Sequence, residues 1–106
     1  MSEVHSETLK EIVGRLVRGM QPDSIYLFGY QARGETDPGS DIDLLLILPD
    51  SDLPRHKREA LSYDLLWDQT TPVDVIVLTK AEFQRGCQVK SSLPSRVRAE
   101  GKMLYG

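Results

Sequence analysis

The stretch "GSDIDLLLILP", Gly39 to Pro49, sets two carboxylates, Asp41 and Asp43, at the mouth of an apolar strand. After Asp43 nearly every position is apolar, as in a central strand covered on both faces. Side chains alternate across a strand, so Asp41 and Asp43 point to one side, about 7 Å apart along the chain. Two like charges so placed repel each other unless something positive lies between them. The plainer alternative is that Asp41 caps the "DPGS" turn and Asp43 is a solvent-facing strand start; Asp-x-Asp alone does not decide.

A third carboxylate bears on the choice. In "TPVDVIVLT" (Thr71 to Thr79), Asp74 stands inside a run of Val, Ile and Leu. A lone ionised carboxylate buried there costs several kcal/mol unless it is paired or holds a metal. If this strand pairs beside the first, three carboxylates converge on one point; if it is a free edge, Asp74 simply faces water. Hard oxygen ligands with few His or Cys select Mg²⁺ or Mn²⁺ over Zn²⁺. Mg²⁺ held by few carboxylates keeps positions open for water and phosphate oxygens, the arrangement phosphoryl and nucleotidyl transfer requires.

Outward from these two strands, the pattern predicts an α+β domain. Leu9, Ile12, Val13, Leu16, Val17 and Met20 recur at spacings of three and four and predict an amphipathic helix over Thr8–Met20. Thr8 and Glu11 resemble a capping box at its start, and "GMQPDS" ends it. "SIYLFG" (Ser24 to Gly29) reads as a strand closed by glycine, and "YQARGETDPGS" as turn-forming. A residue without Cβ at Gly29 would let backbone approach a phosphate closely, and N–H groups in the turn after it could cradle a triphosphate. Pro49 stops the second strand. A helix is expected from about Arg55 to Asp68, burying Leu61 and Leu65 on one side and Tyr63 and Trp67 on the other. "KAEFQRG" reads as one or two helical turns, Ser92–Glu100 as a last helix with Pro94 in its first turn, and "KMLYG" as a short edge strand.

The chain of 106 residues fits a single domain spanning 1–106, because so short a chain buries only about two-thirds of its unfolded surface. A hydrophobic fraction of 40% and a charged fraction of 27% are those of a globular protein rather than a fibre or a disordered tail. No apolar run approaches the ~20 residues of a membrane span, and the acidic, amphipathic N-terminus does not resemble a signal peptide. A single cysteine, Cys87, forms no internal disulfide, which suits a reducing cytoplasm. The net charge of -3 argues against duplex nucleic acid as a ligand, since such binding runs on clustered Lys and Arg. "RHKR" (Arg55 to Arg58) and Arg96/Arg98 read as solvated helix faces. His5 and His56 read as exposed helix residues and are assigned no catalytic role.

Together these residues resemble the minimal nucleotidyltransferases of the DNA polymerase β superfamily. That family carries Gly-Ser, ten residues, then Asp-x-Asp, with a third Asp on a later strand. Here Gly29-Tyr30 is followed by the ten residues 31–40 and then Asp41-Ile42-Asp43. "PVDVIVLT" is similar to the strand bearing the third carboxylate, and "RAEGKMLYG" to the family's C-terminal ending. The resemblance implies a mixed β-sheet with helices mainly on one side and two Mg²⁺ ions, with Mn²⁺ as a substitute. Asp41 and Asp43 would bridge both metals, and Asp74 would help hold the one that activates an acceptor hydroxyl. That hydroxyl would attack the α-phosphorus of a nucleoside triphosphate. Gly29, Tyr30 and Ser40 would bind the nucleotide.

Two positions depart from the family. Tyr30 stands where the family has serine, whose hydroxyl bonds the outgoing phosphates, and Gln31 stands where a basic residue is common. Ser40 could supply the substitute hydroxyl. Members of this size resemble the antitoxin of a two-gene system whose other half is an all-helical HEPN protein, with AMP transferred from ATP to a tyrosine of that partner. Three readings stand open: a nucleotidyltransferase modifying a partner, a degenerate module that neutralises its partner by binding alone, and a metal-assisted hydrolase. Self-association is a further possibility that the sequence leaves open.

Overall fold

The structure is a computed structural model that describes residues 3–28 and 42–106. Its elements run α1 (Glu3–Met20), β1 (Ser24–Phe28), β2 (Ile42–Leu48), α2 (Arg55–Leu65), β3 (Val73–Thr79), α3 (Lys80–Cys87), α4 (Leu93–Glu100) and β4 (Lys102–Tyr105). The four strands form one mixed sheet in the order β3-β2-β1-β4. β1 is antiparallel to both its neighbours, β2 and β4, whereas β2 and β3, joined through α2, are parallel.

The sheet is apolar on both faces, which is why two separate cores form. Ile42, Leu44, Leu46 and Leu48 of β2 face Leu9, Ile12 and Leu16 of α1 together with Ile25, Leu27, Leu66, Val75 and Val77. The intervening residues of β2, Leu45 and Ile47, face Phe83 of α3 and Val97 of α4. The two longer helices thus share one face and the two eight-residue helices cover part of the other. β2, flanked by β1 and β3, is the central strand that its unbroken apolar run demands.

Helix α1 extends well before Thr8, so Thr8 and Glu11 form no cap; the capping box lies instead at α3, where the Thr79 side chain accepts from the Glu82 N–H and the Glu82 side chain accepts from the Thr79 N–H. Gln21 ends α1 with φ of 50°, and its N–H still reaches the Val17 carbonyl at 3.0 Å. Gly101 follows α4 as its C-cap, and Pro94 lies in the first turn, as the sequence suggests.

Helix α2 corrects the sequence reading. Leu61, Tyr63 and Trp67 are exposed, Trp67 by 82%, and the helix buries Arg58 and Ser62 instead. The cause is its position beside β3, an outer strand of the sheet. Val75 N–H donates to the Tyr63 hydroxyl at 3.0 Å, and Val77 N–H donates to Glu59 Oε2 at 3.3 Å. Thr79 N–H donates to Glu82 Oε1 at 2.8 Å. These are alternate residues of one strand, so their N–H groups point the same way, off the open side of the sheet. An edge left bare would invite pairing with another chain, and polar side chains close it. α2 therefore turns hydrogen-bonding groups towards the edge where Leu61, Tyr63 and Trp67 were expected to be buried, while Leu65 packs against the α1 core as expected.

Arg58 ties that edge to α3. Its Nε donates to the Leu53 carbonyl at 2.8 Å, and its Nη1 donates to Glu82 Oε1 at 2.6 Å and to the Val77 carbonyl at 3.4 Å. Arg58 holds the Glu82 carboxyl down at about 2, with the Thr79 N–H adding to the effect.

Candidate carboxylate site

The parallel register places Asp43 opposite Asp74. Residues paired across two strands point to the same face, and neighbouring strands lie about 4.8 Å apart. The hydrophobic pattern fixes this alignment. Ile42 pairs with Val73, Leu44 with Val75 and Leu46 with Val77 over the α1 core, while Leu45 pairs with Ile76 and Ile47 with Leu78 over the other. A slip of one residue would turn Asp74 into the α1 core and Val75 and Val77 away from it, so both cores resist it. The Ile42 N–H, bonded to the Pro72 carbonyl at 3.0 Å, secures the first rung of the ladder.

Asp43 is half-buried and Asp74 exposed. The desolvation argument for Asp74 therefore fails: β3 is an outer strand, and its carboxylate reaches water. What joins the two aspartates is strand register rather than shared burial. Phe28, the last residue of β1, pairs with Asp43 from the other side, so the ends of β1, β2 and β3 meet at one rim of the sheet.

Asp41, Gly29, Tyr30 and Ser40 lie outside the described residues. Among the described residues no group of three or more His, Cys, Asp or Glu is positioned to hold a metal ion. The pair itself is a suitable donor set for a hard cation. Two carboxylates on adjacent strands can contribute one oxygen each to an ion that binds oxygen at about 2.0–2.1 Å, as Mg²⁺ does.

The C-terminal end of α2 is tied to α1. Arg15 donates from Nη2 to Asp68 Oδ2 at 3.2 Å and to Glu11 Oε1 at 2.9 Å, and from Nη1 to the Leu65 carbonyl at 3.3 Å. A further Nη1 bond to Asp68 Oδ1 makes the contact a fork, and Arg15 holds the Asp68 carboxyl below its ordinary range. A cavity of about 230 Å³ opens against Tyr63, Leu66, Thr70 and Val73.

Sequence reasoning missed the residues that hold β3 in place: Arg58, Glu59, Tyr63 and Glu82. One signal was present, since Thr79-Lys-Ala-Glu82 is a capping-box pattern directly before Phe83. Nothing local marks Arg58 as buried.

The family model for the nucleotidyltransferase domain matches residues 6–100. Among solved structures, a protein of Sulfolobus solfataricus provisionally described as a nucleotidyltransferase superposes with a TM-score of 0.65 at 25% identity, over 92% of this chain and 76% of its own. A toxin–antitoxin structure with AMP-PNP gives 0.64 at 25% identity, over 92% and 72%. A mutant of the toxin–antitoxin pair MntA–HpeT, in which two aspartates are changed to glutamate, gives 0.63 at 26% identity, over 92% and 72%. No curated protein matches the chain. None of the described helices is long and apolar enough to cross a membrane. A family match over nearly the whole chain, on a sheet that sets two aspartates side by side at one rim, makes this protein a member of the nucleotidyltransferase domain family.

Proposed function

We propose that this chain is a Mg²⁺-dependent nucleotidyltransferase that moves AMP from ATP onto a hydroxyl of a partner protein, and that it serves as the antitoxin of a helical HEPN-type toxin. The observation that carries the reading is the in-register pairing of Asp43 with Asp74 in a chain of this family. The AMP-PNP in one similar toxin–antitoxin structure and the paired aspartate substitutions in another support it.

In this reading Asp41, Asp43 and Asp74 hold the metal, with Mn²⁺ as a substitute. An ion bound there would supply positive charge against the attacking and leaving oxygens. The acceptor oxygen forms a bond to the α-phosphorus, the bond to the β-phosphate oxygen breaks, and pyrophosphate leaves while the hydroxyl proton passes to solvent. Asp74, being exposed, faces the side from which a protein acceptor can approach. Asp43, half-buried and fixed between Phe28 and Asp74, keeps the donor and acceptor halves of the site in line. Gly29, Tyr30 and Ser40 receive the phosphates. The test is transfer of label from α-phosphate-labelled ATP, with Mg²⁺, to the helical protein encoded beside this one. The wild type labels that partner and Asp43→Ala does not; an unlabelled partner contradicts the proposal.

Tyr30 favours a second reading, in which the fold neutralises its partner by complex formation alone. Under it, an Asp43→Ala/Asp74→Ala protein neutralises the partner as fully as the wild type.

A further inference from the structure

The apolar stripe of α1 is only partly used by the core. Leu9, Ile12 and Leu16 are buried, whereas Val13 and Val17 are covered in part. With Leu104 of β4, these two valines floor an open groove of about 490 Å³ between α1 and β4. β4 has no strand partner on its outer side among the described residues. Lys10, Arg18 and Lys102 rim the groove and are exposed. Among the described residues none of the three has a carboxylate partner.

Gly14 lies along the same groove. A glycine in mid-helix weakens the helix relative to alanine, yet here it makes room for the Arg18 guanidinium, which lies over it at the rim of the groove. A Cβ at this position would stand 3.2 Å from Arg18 Nη1. An apolar floor and a cationic rim describe a seat for a complementary surface.

We propose that this groove docks an amphipathic helix with acidic flanks, supplied by a protein other than a second copy of this chain. The helix lays its apolar stripe over Val13, Val17 and Leu104 and sets its carboxylates against Lys10, Arg18 and Lys102. Helix-in-groove recognition of this kind reads anchors at i, i+3, i+4 and i+7. A second copy is the poorer occupant, because a symmetric contact joins the same patch to itself and would oppose three cations with three cations. The groove lies on the α1 face at the β4 edge, while Asp43 and Asp74 point to the other face near the β3 edge. A partner seated there leaves the carboxylates open, so docking and chemistry are separable.

The experiment uses the full chain and two fluorescein-labelled designed helices of about 14 residues, long enough to fold on contact. Both carry leucine at i, i+3, i+4 and i+7; one is flanked by glutamate, its twin by lysine. The glutamate helix binds at least about tenfold more tightly than the lysine helix, and rising salt erodes the difference. Lys10→Glu/Arg18→Glu/Lys102→Glu, all surface changes, reverses the preference. Gly14→Leu, with folding verified by circular dichroism, weakens the glutamate helix by obstructing the groove. Asp43→Asn leaves peptide binding unchanged, which separates this result from the fate of the transfer reaction. Equal binding of the two helices, no binding of either, or a preference that survives the charge reversal overturns the proposal.

Discussion

Arg58 Nη1 lies 2.6 Å from Glu82 Oε1, and this contact joins the helix before β3 to the helix after it. Arg58 is 6% exposed, and that carboxylate is its counter-charge. Glu82 Oε1 also accepts from the Thr79 N–H, so a single oxygen closes a strand end and neutralises a buried cation.

The pH dependence follows from Glu82. Its carboxyl ionises at about 2 in the folded protein against 4.5 ordinarily. A depressed carboxylate stabilises the fold fully above its unfolded value, and that contribution is lost as pH falls through the folded one. Glu82→Gln should cost about 1–3 kcal/mol at pH 7, part of it from stranding Arg58. The gap between wild type and Glu82→Gln, followed by urea denaturation, should close as pH drops from about 5 towards 2.

Tyr63→Phe removes the acceptor for the Val75 N–H while leaving the ring in place. A loss of about 0.5–1.5 kcal/mol is expected. Hydrogen exchange at the Val75 amide should quicken more than at Ile76, which faces β2 rather than the open edge.

The same substitution at two glycines should act in opposite directions. At Gly101 an added Cβ would stand 2.5 Å from the Val97 carbonyl oxygen and 3.3 Å from that of Leu27, and backbone cannot swing aside. Gly101→Ala should cost about 1–3 kcal/mol. At Gly14, among the described residues, an added Cβ meets the flexible head of Arg18 first, so Gly14→Ala should gain about 0.5–1 kcal/mol from helix propensity. Thermal unfolding of both variants measures the pair.

Tyr30→Ser introduces the residue that the resemblance leads one to expect at this position. If the site works as it stands, calorimetric titration with ATP and Mg²⁺ should show little change. A gain of about tenfold or more, equivalent to one recovered charge-assisted hydrogen bond, would favour the binding-only reading.

Much of this was legible in the residues because local and long-range signals agree. The stripe from Leu9 to Met20 has one reading, and the run from Leu44 to Leu48 has no place except mid-sheet. Helix α2 was misread because its apolar residues imply an apolar contact, whereas its neighbour is a strand edge that needs hydrogen-bond acceptors. Only the topology shows that Arg58, Glu59 and Tyr63 stand beside that edge. Asp74 was argued from burial, yet its meaning lies in pairing with Asp43. Register is a property of two strands together, so neither segment displays it alone.

The most direct test of the account asks whether Asp43 and Asp74 act on one ion. Mn²⁺ binding, followed by electron paramagnetic resonance, is measured for the wild type, Asp43→Asn, Asp74→Asn and the double variant. Shared ligation predicts that each single change weakens binding and that the double change costs less than their sum, with a coupling of about 1 kcal/mol or more. Strictly additive losses, or Mn²⁺ binding that neither substitution disturbs, would contradict it.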